Sequence, residues 1–300
     1  MKTREAMQQE VFPRCAWDAG CLLGEGPVWD TRSQTLWFVD IKGDALLAFD
    51  ERRGGRTHPF AGNPSVIVPI EGDADMLCIS RQGVERLTPA TGKRRLIAPI
   101  EPHLPGNRPN DGKCDRSGRF WFGTTDDAEE IYSGTLYRLD GGVRLAPVLP
   151  GIGVSNGLDW SPDGAWFYYT DSMRRTIWRY AYDMATGELG ARTVFATLAE
   201  LDGAPDGLTV DADGFVWSAH WDGWRVTRYN PDGRVDRVIE LPVPRPTSLC
   251  FGGGDLSTLY VTSARIGLSD ALLERAPLSG ALLALQTGVL GLPSRPARLA

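Results

Sequence analysis

Apolar residues fall in short stretches rich in Trp, Tyr, Phe and Val, separated by clusters of Gly, Pro, Asp and Asn, and none sustains the 3.6-residue period of a helix. The clearest unit runs Gly157-Leu158-Asp159-Trp160, a turn over Ser161-Pro162-Asp163-Gly164, a strand over 165–170 and another over 176–182. A near copy starts at Gly207 to Val210 and passes through Asp211-Ala212-Asp213-Gly214. Its next strands cover 215–219 and 225–229, before a turn at Pro231-Asp232-Gly233. A third copy uses Gly112 to Cys114 with strands over 120–123 and 134–139, and the first runs from Gly26 through Trp37-Phe38-Val39. Weaker copies lie around Val66 to Arg86 and Ser248 to Leu285. The anchors Val28, Ile70, Lys113, Leu158, Leu208 and Leu249 recur about 40 to 50 residues apart, the length of a four-stranded blade.

Six such units predict an all-β, six-bladed β-propeller with four-stranded antiparallel blades, in one domain over residues 1–300. Glu10 to Trp17, ahead of the first copy, is expected to supply the outer strand of the last blade and close the ring without an exposed edge. Helix is expected only as short turns such as Ser269 to Glu274. The aromatics Trp29, Trp121, Trp160 and Trp217 fall at strand positions where packing between blades is the expected role, with Trp221 bordering the pocket.

The formal net charge of −6, with no basic stripe, argues against nucleic acid and anionic membranes as partners. Met1 to Glu10 lacks the apolar stretch of a signal peptide and no run reaches membrane-spanning length, so a cytoplasmic protein is expected. Five scattered cysteines without a Cys-x-x-Cys pair point to free thiols. No Gly-x-Ser-x-Gly elbow marks a serine hydrolase, and Gly252-Gly253-Gly254 lacks the Lys and Ser/Thr of a phosphate loop.

Residues at the start of each inner strand converge on the axis of a propeller. That phase of the repeat reads Glu25-Gly26, Asp111-Gly112, Asn156-Gly157 and Asp206-Gly207. Glycine is expected to let the chain turn into the strand while the preceding oxygen points inward. Converging carboxylates repel unless a cation sits among them, and Glu, Asp and Asn oxygens suit calcium, magnesium, manganese or ferrous iron, with zinc less typical. Asp163-Gly164, Asp213-Gly214 and Asp232-Gly233 lie between strands of one blade and read as hairpin turns.

Leu23-Gly24-Glu25-Gly26-Pro27-Val28-Trp29, Arg108-Pro109-Asn110-Asp111-Gly112-Lys113, Ser155-Asn156-Gly157-Leu158-Asp159 and Pro205-Asp206-Gly207-Leu208 occur in this order along the chain. Together they resemble the signatures of the senescence-marker-protein-30, or regucalcin and gluconolactonase, family of six-bladed sugar lactonases. The resemblance spans nearly the whole length. It implies that Glu25, Asn156 and Asp206 ligate one divalent metal ion, that Arg108 and Asn110 contact the substrate, and that Asp206 doubles as general base. The stretch Thr262-Ser263-Ala264-Arg265-Ile266-Gly267-Leu268-Ser269 is similar to that of bacterial members that open pentonolactones such as xylonolactone. Those members are associated with Fe2+, while others accept Zn2+, Ca2+ or Mn2+. After Gly123-Thr124 the family usually carries Met and soon an acid near the substrate. Thr125-Asp126-Asp127-Ala128 stands there instead, making Asp127, with Asp126 as the alternative, the expected substrate-contacting acid.

The implied reaction is hydrolysis of an aldonolactone, such as xylono-1,4-lactone, arabinonolactone or gluconolactone, to the free acid, by a monomer or weak homodimer. The ion would act as Lewis acid beside an activated water. A non-catalytic metal-binding propeller of the regucalcin type is the alternative. His220, after Trp217-Ser218-Ala219 near a strand end, is a rival base or extra ligand, or else a packed histidine.

Overall fold

The structure, a computed structural model, describes residues 11–141 and 144–299. Its strands form six separate four-stranded antiparallel sheets arranged as blades. Blades one to five each use four consecutive strands, their inner strands being Gly24–Asp30, Val66–Pro69, Asn107–Cys114, Ser155–Trp160 and Ala204–Val210. The sixth is built from Pro246–Gly252, Thr258–Ser263 and Leu282–Gln286, and Arg14–Trp17 completes it by pairing with Leu282–Gln286. The closing strand therefore forms as expected, although residue 10, where it was predicted to start, lies outside the described residues. The helix appears as Asp270–Arg275, capped by Ser269 Oγ accepting from the Leu272 N–H at 3.3 Å. No helix among the described residues is long and apolar enough to cross a membrane.

Apolar burial is divided among six clusters, one at each contact between neighbouring blades. Between blades three and four, Trp121, Leu158, Trp160, Phe167 and Tyr182 interleave. Trp217 with Phe251 and Leu283 does the same between blades five and six. Because a blade exposes apolar residues on both sheet faces, each needs two neighbours, and closing the ring supplies the last pair. The Asp-Gly pairs between strands are turns as predicted: Gly164, Gly214 and Gly233 all have positive φ. Their N–H groups donate to Ser161, Asp211 and Asn230 carbonyls at 2.9 to 3.0 Å.

A feature that the repeat did not reveal positions the site. In five inner strands the pairing slips by one residue, so that two inner-strand residues face one on the next strand. The second blade pairs without a slip. Such a bulge re-aims side chains out of the sheet. In blades three to six its first residue is Asn110, Asn156, Asp206 and Thr247; in blade one Glu25 directly precedes it. Asn110, not Asp111, is thus the counterpart of Asn156 and Asp206, which corrects the predicted phase in blade three.

The glycine rationale changes as well. Of the glycines following ring residues, only Gly26 takes a left-handed φ, of 54°. A Cβ on Gly157 would overlap the Leu208 backbone nitrogen, and one on Gly207 would overlap Ser248. These glycines let neighbouring inner strands touch at the axis.

Candidate active site

The starts of the inner strands surround a pocket of about 180 Å³, lined by Glu25, Arg108, Asn110, Glu129, Asn156, Ser172 and Asp206, with Leu23, Val154, Met173, Ala204 and Trp221 as its apolar wall. Four blades, the first, third, fourth and fifth, contribute the buried polar side chains Glu25, Arg108, Asn110, Asn156 and Asp206.

Hydrogen bonds fix the orientation of the amides. Asn110 Nδ2 donates to Asn156 Oδ1 at 2.9 Å and to the Ser155 carbonyl at 2.8 Å, while its Oδ1 accepts from Arg108. Asn156 Nδ2 donates to Ser172 Oγ at 2.8 Å, and the Ser172 hydroxyl donates to the Pro205 carbonyl at 2.6 Å. With its hydroxyl proton committed to that carbonyl, Ser172 can only accept from Asn156, which turns the Asn156 oxygen away from Ser172 and toward Asn110.

The carboxylates are poorly satisfied. Glu25 Oε2 accepts from the Gly26 N–H at 3.1 Å, whereas Asp206 Oδ1 is buried with no partner. Burial, with the Asp111 charge adding to it, raises the Glu25 carboxyl to about 8. Asp206 is pushed well above the usual carboxylate range, first by burial and then by Glu25, Asp111 and Glu129. An orphaned buried oxygen beside a second crowded carboxylate and an oriented amide fits a hard divalent cation, which would give Asp206 its missing partner and offset the repulsion. Among the described residues no three His, Cys, Asp or Glu gather as a metal site, consistent with an amide as the third donor.

The other predicted residues divide. Arg108 and Asn110 reach the pocket. Asp127, expected at the substrate, stands behind Arg108 and is not part of the lining. It accepts from Lys42 Nζ at 2.7 Å, from Arg108 Nε at 2.6 Å and from Arg81. Burial works against its charge, but Lys42 and Arg108 hold Asp127 below the usual range. Asp126 is buried and accepts from the Glu130 N–H at 3.0 Å. The acid that does face the pocket is Glu129, half-exposed and 3.6 Å from Arg108. It sits in a turn with φ of 57°, which no repeat position marks.

Asp111 occupies the second bulge position, accepts from the Gly112 N–H at 2.6 Å and does not line the pocket. His220 lies outside it too: Nδ1 is 2.8 Å from the Asp202 carbonyl and Nε2 is 3.5 Å from Tyr229 Oη. Burial lowers its pKa to about 4, as for a packed neutral imidazole. Its neighbour Trp221 does border the pocket. Ser172, like Glu129, carried no signal in the sequence, since a lone Ser after a strand is ordinary.

Residues 23–265 match the SMP-30/Gluconolactonase/LRE-like region. The chain is 38% identical to pentonolactonase XacC of Haloferax volcanii over 248 residues, 82% of this chain and 83% of that protein. It is 35% identical to 6-deoxy-6-sulfogluconolactonase of Pseudomonas putida over 279 residues, 93% of this chain and 96% of that one. The crystal structure of a calcium-binding protein, regucalcin, from Agrobacterium tumefaciens superimposes with a TM-score of 0.93 at 32% identity, covering 97% of this chain and 98% of that one. Fold, inner-strand motifs and relatives agree, and the chain belongs to the SMP-30/gluconolactonase/LRE-like family.

Proposed function

We propose that the pocket holds one divalent metal ion on Glu25, Asn156 and Asp206 and hydrolyses a sugar lactone beside it. The buried, partnerless Asp206 Oδ1 carries this reading, supported by two relatives named as lactonases. When bound, the ion supplies Lewis-acid polarisation and eases loss of a proton from water.

The rest falls to the chain's own groups. Arg108 and Asn110 hold sugar hydroxyls, and the Arg108 guanidinium stabilises negative charge as the ring carbonyl is attacked. Asp127, with Lys42 and Arg81 behind it, keeps Arg108 aimed at the pocket. Asp206 takes the proton of the attacking water on the carboxylate oxygen that does not hold the ion and returns it to the leaving ring oxygen. Glu129 at the rim accepts from a sugar hydroxyl, and Trp221 packs on the apolar face of the ring.

A pentonolactone such as xylono-1,4-lactone is the favoured substrate, with arabinonolactone and gluconolactone next; Fe2+, Zn2+, Ca2+ and Mn2+ are the ions to compare. The similarity to a calcium-binding regucalcin supports a second reading, metal binding without turnover. Proton release from xylono-, arabinono-, galactono- and gluconolactone separates the two. Hydrolysis above the spontaneous rate names the sugar, whereas tight binding of one ion with no hydrolysis of any of the four leaves the regucalcin reading.

A further inference from the structure

The far end of the axial channel holds a second cavity, of about 70 Å³, that lactone hydrolysis leaves unused. Its floor comes from the later halves of the inner strands, including Val28, Val68, Val210 and Phe251. The two ends differ in charge. The metal-end lining carries Glu25, Glu129 and Asp206 against Arg108. The far cavity carries Lys113, Arg116 and Arg295 against Asp159 alone. Lys113 Nζ donates to Asp159 Oδ2 at 2.8 Å, so that pair cancels. Arg116 and Arg295 remain, both exposed, with no ion pair or side-chain hydrogen bond among the described residues. Asp163 is held below the usual carboxylate range first by the Ser161 hydroxyl and the Ala165 N–H, with Arg116 adding a smaller effect through space without pairing with it.

The end of the chain roofs this cavity. The Gly291 N–H donates to the Leu256 carbonyl at 2.9 Å and the Leu290 carbonyl accepts from Ala212 at 2.9 Å, which ties one side to blades five and six. The Ala297 N–H donates to Pro69 at 2.7 Å and the Arg298 N–H to Gly118 at 2.8 Å, which ties the other to blades two and three. Between these anchors, residues 292–296 make no backbone hydrogen bond among the described residues and include Pro293 and Pro296. Arg295 therefore rides on a span tethered only at its ends, over a mouth that Arg116 borders.

We propose that this cavity binds a dianionic oxyanion, a phosphate or phosphate-monoester group, between Arg116 and Arg295. Two guanidinium forks with no carboxylate of their own match the charge and the paired oxygens of such a group. The site rests on the charge and shape of the far cavity and is independent of the lactonase reading.

Inorganic phosphate titrated calorimetrically into the chelated protein, at ionic strength held constant with KCl, tests it. Chelation removes any ion that could hold phosphate at the opposite end. One saturable site with Kd of about 1 mM or tighter is expected. The exposed pair Arg116→Ala/Arg295→Ala melts like the parent protein and weakens binding at least about tenfold, whereas Asp206→Asn leaves Kd unchanged. No saturable binding up to about 20 mM, an unchanged Kd in the double variant, or loss of binding in Asp206→Asn overturns the proposal.

Discussion

Stripping the ion from the pocket should make stability fall as pH rises from 6.5 to 8. In the folded, metal-free chain burial and the Asp111 charge raise Glu25 to about 8, against 4.5 for the free side chain. Over that window the folded protein holds a proton that the unfolded chain has released, and stability then decreases with pH by about 1.4 kcal/mol per unit per proton. Integrated up to a folded pKa near 8, the loss is about 2 kcal/mol, or about 3 °C in Tm for a chain of this size. Asp206, shifted in the same direction, adds to it. The window starts at 6.5 because His220, lowered to about 4, contributes with the opposite sign below its ordinary value of 6.5. Thermal melts in chelator across this range measure the slope, Glu25→Gln should flatten it, and a saturating divalent ion should abolish it by binding the ionised carboxylates. A Tm that is level or rising from pH 6.5 to 8 in chelator would refute the electrostatic account of the site.

Asp206→Asn should fold normally but lose about 100-fold or more in lactone turnover, read from initial rates at saturating ion. Ser172→Ala releases the Asn156 amide and should weaken metal binding about tenfold by calorimetry, with Ser172→Thr keeping most of the affinity. Gly157→Ala forces a Cβ onto the Leu208 backbone nitrogen and should cost about 3 kcal/mol in denaturant melts, through strain between blades four and five.

The blade repeat was readable because every blade needs the same alternation of buried strand and tight turn, so Trp121 and Trp217 recur at matching phases, opposite Lys113 and Thr209. Glu25, Asn156 and Asp206 could be located for the same reason. Blade three was misphased because Asn110 and Asp111 both carry side-chain oxygens ahead of Gly112, and only the pairing of Pro109 with Thr124 and Gly112 with Phe122 shows which one leads the bulge. The role of Gly157 and Gly207 was hidden because their constraint comes from the neighbouring blade rather than from their own φ. Asp127 looked like a pocket acid in the linear sequence, yet Lys42 and Arg81 arrive from other blades to claim it. Glu129 and the roof over 292–296 lie in turn and irregular backbone, where no period exists to be read.

Initial rates of xylono-1,4-lactone hydrolysis, followed by proton release, bear most directly on the central claim when taken before chelation, after it, and after each of Fe2+, Zn2+, Ca2+ and Mn2+ is added back singly. The account predicts that chelation abolishes turnover, that one ion per chain restores it, and that Glu25→Gln is not restored at the same ion concentration. Turnover that persists in metal-free protein, or that Glu25→Gln retains in full, would contradict it.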